Sequence, residues 1–198
     1  MNKNIQLRIS KNLDSIYDYI ESMMGEEIFN RDKWYFAGGC VYCLYNNKPI
    51  NDYDLFCMDK SEVKKILKWF NEHKDVVTFK SDYAYTVGKI QFIIRFIGDP
   101  EIEVSKFDFK HNQCYYTSDG VVHLLAPEEI ISSNKLVPNT SKGRDLMTTI
   151  GRVAKFTSRG MEISQTDLFD LTLKATEPKS YFSGRRSLKR RIKQKYRY

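Results

Sequence analysis

A chain of 198 residues, 41% hydrophobic and 14% aromatic, is long enough to bury a substantial core and too apolar to be disordered. No apolar run reaches the length of a membrane span, and the opening "MNKNIQLRIS" lacks the apolar segment of a signal peptide. The expected compartment is therefore cytoplasmic, in a cell or in a host infected by a phage, with the four cysteines reduced.

The net charge of +7 is not spread evenly. The last fifteen residues, "GRRSLKRRIKQKYRY", carry eight Lys or Arg and no acid, which leaves a body of 24 basic and 25 acidic residues. A basic tail of this kind is an electrostatic footprint for phosphate backbones, here RNA, with Arg185, Arg186, Lys189, Arg190, Arg191 and Lys193 as candidate contacts. A solvated terminus that only aids solubility is the alternative.

In chain order, Leu13, Ile16, Tyr17, Ile20, Met23 and Met24 recur at helical spacing and predict an amphipathic helix. "WYFA" reads as a short buried strand stopped by Gly38 and Gly39, and "CVYCLY" as a short helix ended by Asn46 and Asn47. "INDYDLFCM" alternates like a strand. Ser61 is placed to cap a helix whose Val63, Ile66, Leu67 and Phe70 form one apolar stripe. "VVTFK", "YAYTV" and "KIQFIIRFI" predict three strands. "DPEIEVSK" suggests a short helix, and "FDFKHNQCYY" a strand before the turn "TSDG". From Pro127 the character is helical, over 128–133, 142–158 and 164–174, with Gly160 ending the second and Ser164 and Asp167 capping the third. The order is a mixed α/β half followed by an all-helical half.

The chemistry concentrates between Gly38 and Asp54. On a strand Asp52 and Asp54 share a face, and two adjacent carboxylates repel unless a cation sits between them. A divalent ion, Mg²⁺ or Mn²⁺, does this in sites that also bind phosphates. A Gly-Gly turn between strand and helix lets backbone N–H groups approach a phosphate, and the helix N-terminus adds positive potential. Together they form a phosphate cradle facing a metal site, the equipment of phosphoryl or nucleotidyl transfer from an NTP. Arg152 and Lys155 share a helix face and, with Arg144 and Lys48, are candidates for the triphosphate.

"GGCVYCLYNNKPINDYDLF" resembles the signature of the polymerase-β-like nucleotidyltransferase superfamily, in its branch of poly(A) polymerases and tRNA CCA-adding enzymes. Gly38, Gly39, Val41, Leu44, Asp52 and Asp54 match that signature. "KFDFKHNQ" is similar to a second family motif through Asp108, Phe109 and Asn112, and residues 124–163 resemble the family's neck. The resemblance implies an α+β fold: a nucleotidyltransferase-type mixed β-sheet flanked by helices over 1–126, a helical neck-like domain over 127–183 and the basic tail over 184–198. It implies Asp52 and Asp54 as catalytic metal ligands, Asp108 as the third carboxylate (Glu103 second choice), and Gly38, Gly39 and Asn112 at the nucleotide.

The departures from the family pattern are Tyr42 and Cys43 in place of Arg-Asp, Phe107 in place of an arginine, and Gln91 where a third carboxylate is often found. The chain also ends where the family's tRNA-holding domains would begin, so CCA addition itself is not implied. These departures keep open an inactive module that binds RNA or protein, and an enzyme that modifies a protein or small molecule. Cys40 and Cys43 fit small packing residues better than a redox pair, and no zinc spacing is present. His111 reads as a packed histidine, while Tyr42 or Tyr45 could stack on a base.

Overall fold

The computed structural model describes residues 2–140 and 146–176. The opening helix α1 (Lys3–Met24) starts ten residues ahead of the predicted apolar stripe because Asn2 caps it, its side chain accepting from Asn4 N–H at 2.8 Å. It buries Ile9, Leu13, Tyr17, Ile20 and Met24 along one face and ends at Gly25, whose φ is +80°. Strand β1 (Trp34–Ala37) is buried at every position, as a central strand must be.

Then come α2 (Gly39–Tyr45), β2 (Tyr53–Cys57), α3 (Lys60–Glu72), β3 (Phe79–Lys80), β4 (Ala84–Val87) and β5 (Ile90–Ile97). The cap of α3 is Asp59 rather than Ser61: the Asp59 carboxylate accepts from Ser61 N–H at 2.7 Å, so the helix begins two residues earlier. Leu67 in its stripe is only half-buried, and Trp69 joins the core instead. The "VV" of "VVTFK" lies in and after a 3₁₀ turn, which leaves β3 two residues long.

Helix α4 (Pro100–Ser105) carries its Pro in the first turn and Asp99 as cap, and β6 (Cys114–Thr117), β7 (Val122–Leu124), α5 (Glu128–Ile131), α6 (Leu146–Thr157) and α7 (Gln165–Thr176) follow. The expected strand over "FDFKHN" is absent. Its backbone pairs elsewhere: Lys110 N–H donates to Val137 O and Asn139 N–H to Asp108 O, with a 3₁₀ turn over Lys110–Asn112. Ser164 caps α7 as predicted, bonding Asp167 through both side chain and N–H.

The strands form one seven-stranded mixed sheet, β3-β4-β5-β2-β1-β6-β7, in which only β2 and β5 run parallel. One face (Phe36, Leu55, Phe92, Tyr116) packs in a large core with α1, α2 and α3. That core extends through Ile131, Leu136, Leu146, Val153, Met161 and Leu171, so the helical segment shares it. The other face holds Tyr35, Ala37, Phe56, Ala84, Ile93 and Tyr115, with Val104 of α4. By strand alternation, Asp54 lies on this second, lightly covered face. None of the described helices is long and apolar enough to cross a membrane.

Candidate active site

The site is built where β1 turns into α2. Gly38 takes φ +74°, donates its N–H to Cys114 O at 3.0 Å and accepts from Tyr42 N–H at 3.0 Å, closing the first helical turn. A side chain here would be strained by that φ, and its Cβ would stand 3.0 Å from the Phe107 ring. Gly39 differs: a Cβ there would meet nothing within 4 Å, so its backbone faces open space. The first turn of α2 also leaves N–H groups without intrahelical acceptors.

The acids lie beside this bend. Cys40, the residue after the glycines, is buried against Asp54; burial first, then the Asp54 carboxylate, pushes its thiol well above the usual value, while the Asp54 backbone opposes the shift through a hydrogen bond. Asp54 keeps part of its surface in solvent, yet burial and then the negative charge of Asp52 raise its carboxyl to about 6. Lys155 and Arg152 on α6 act in the opposite direction. Asp52 precedes β2, whose first N–H is engaged by Lys89 O. Gln91, in register with Asp54 across the parallel pair, donates its amide to Asp52 Oδ2 at 3.2 Å.

Asp108 is not gathered with the other two acids. Its carboxylate pairs with the Arg152 guanidinium and accepts from Thr149 Oγ1 at 3.3 Å. Among the described residues, no three His, Cys, Asp or Glu side chains are grouped closely enough to hold one metal ion. Glu103 pairs with Lys106 at 2.6 Å on α4. Lys48 donates to Tyr42 Oη at 2.8 Å and to Asn134 Oδ1 at 2.7 Å, so its ammonium is bound within the protein. Asn112 lies in the 3₁₀ turn with a buried Oδ1 that has no hydrogen-bond partner. His111 is fully buried among Tyr42, Phe109 and Phe156, and burial, then the Lys48 charge, lowers its pKa to about 3. Arg144 and the basic tail fall outside the described residues.

One residue escaped the sequence reading. Arg159, just past α6, lies near enough to Cys43 to lower its thiol pKa, alongside Lys48 and against the larger effect of burial; Asp52 acts the other way. Its spacing from Arg152 and Lys155 is helical, and that is the signal that could have found it.

A mixed sheet flanked by helices, with paired acids beside a glycine bend, is a fold that this chain shares with solved nucleotidyltransferases. A tRNA-processing enzyme in its apo form I aligns with TM-score 0.55 at 16% identity, covering 78% of this chain and 46% of that one. A tRNA nucleotidyltransferase complexed with a primer tRNA and an incoming ATP analogue gives 0.52 at 14%, covering 71% and 46%. The Thermotoga maritima CCA-adding enzyme complexed with tRNA gives 0.51 at 15%, covering 71% and 37%. The chain thus spans less than half the length of these structures, and at such identities the likeness is one of fold. A search among curated proteins finds no match. Residues 10–134 match the profile of the Gabija anti-defense 2 family (Gad2), and the chain belongs to that family.

Proposed function

We propose that the protein is a metal-dependent nucleotidyltransferase that moves a nucleotide from an NTP to an acceptor, RNA held by the basic tail, in the cytoplasm of a phage-infected host. The observation that supports this reading is geometric: an open glycine backbone at Gly39, with Asp52 held by Gln91 at 3.2 Å and Asp54 next to it, its carboxyl raised to about 6 by burial and then by the Asp52 charge. Two acids that repel in this way suit a divalent cation, whose charge would offset both. Mg²⁺ held by Asp52 and Asp54 would supply activation of the acceptor hydroxyl and neutralisation of the leaving pyrophosphate.

The chain's own residues do the rest. The Gly38-Gly39 bend offers backbone donors to the triphosphate, Arg152, Lys155 and Arg159 bring cations to it, and Gln91 orients Asp52. The family's name, Gabija anti-defense 2, is in keeping with a protein that acts inside an infected host. The Asp52–Gln91 bond favours one other reading, a module that keeps the fold and binds RNA or protein without transfer, since an amide stands where a third carboxylate would strengthen metal binding.

Incubation with each labelled NTP, Mg²⁺ and total cellular RNA decides between them. Transfer that disappears in Asp52→Ala/Asp54→Ala supports the enzyme. Transfer that persists in that variant refutes the site, and none from the wild type favours the module.

A further inference from the structure

The segment carrying Asp108 is fastened on both sides. Asn139 donates through Nδ2 to Ser105 O at 2.7 Å and to Phe107 O at 3.0 Å, and through N–H to Asp108 O at 2.8 Å. The next residue, Phe109, is fully buried and bridges Pro138. The Asp108 backbone therefore has little freedom, and among the described residues its carboxylate meets Thr149, itself fully buried, and Arg152, one turn apart on α6.

The two partners are unequal. The Asp108 side chain is 14% exposed, whereas that of Arg152 is 56% exposed. A guanidinium has five donors in a planar fork, and engagement of one Nη leaves others facing solvent. A free arginine on a helix surface loses rotamer entropy when it grips an anion, and one already held by a rigid carboxylate loses less.

We propose that Asp108 is a positioning residue that holds Arg152 beside the Asp52–Asp54 pair to receive the phosphates of the nucleotide, and that it is not a ligand of the metal ion. This assignment rests on the nucleotidyltransferase reading above. It explains why a carboxylate predicted to face a metal is turned to a helix instead. Arg152 and Lys155 share a face of α6 and both act electrostatically on Asp54, so the held guanidinium would add to the positive potential that a triphosphate bound there would meet.

The test measures two affinities on the full chain: Mn²⁺ alone, and an ATP analogue with a methylene α–β bridge in the presence of Mn²⁺. In Asp108→Asn, Mn²⁺ affinity should stay within about twofold while analogue affinity falls about tenfold or more, because only the phosphate grip is loosened. Arg152→Gln, a change at an exposed side chain, should show the same loss. The double variant should lose no more than either single one, and Asp108→Glu should recover part of the affinity. A loss of Mn²⁺ binding in Asp108→Asn, an unchanged analogue affinity in Arg152→Gln, or additive losses would each overturn the assignment alone. A wild type that binds neither Mn²⁺ nor the analogue would overturn the nucleotidyltransferase reading, and the assignment with it.

Discussion

Asp54 holds its proton more tightly in the folded chain than in the unfolded one, where a carboxyl titrates near 3.8. The stability it contributes is present below that value and is lost as pH rises through about 6. Above pH 6 the buried charge costs at most about 3 kcal/mol, reduced by its partial contact with solvent. Asp54→Asn should therefore raise Tm at pH 7.5 in EDTA, with the gap closing towards pH 4.5, and thermal melts across that range check it. The two glycines make a paired forecast. Gly38→Ala, with positive φ and the Phe107 ring in its way, should destabilise by about 1–2 kcal/mol in urea titrations. Gly39→Ala should fold like the wild type but bind an ATP analogue more weakly, because the methyl enters the space a phosphate would use.

At the scale of elements, α6 is seated by Phe156, whose ring meets Phe109 and His111 edge-on at 5.2 Å each. Phe156→Ala should cost about 2–3 kcal/mol, and since Arg152 rides on the same helix, analogue affinity should fall with it. Urea denaturation and calorimetry on one sample read both effects.

The same elements show what was legible beforehand. Helices α1 and α3 and strand β5 carry their periodicity within themselves, and so do the glycine bend and the Asp52–Asp54 pair, which lie close together in sequence. The segment 106–113 does not. Its backbone partners are residues 137–139, which no local pattern announces, so an apolar alternation that suggests a strand becomes a turn. The pairing of Asp108 with Arg152 and the approach of Arg159 to Cys43 are likewise products of tertiary packing.

For the whole molecule, the charge distribution separates the acceptor classes. A nearly neutral body with a strongly basic end should bind RNA through that end, with affinity falling steeply as salt is raised. Deleting residues 184–198 should weaken RNA transfer and flatten its salt dependence, as filter binding and transfer assays from about 50 to 200 mM salt would show. Transfer indifferent to the deletion would point to a protein or small-molecule acceptor.

The bend also carries its own reporters. Cys114 lends its carbonyl to Gly38 N–H, Cys40 follows the glycines directly, and both sulfurs are sealed from solvent. A sealed thiol is alkylated only during a local opening, so the labelling rate of this pair is a clock for how often the strand-to-helix junction comes apart. A ligand that grips the junction would slow that clock without touching either sulfur.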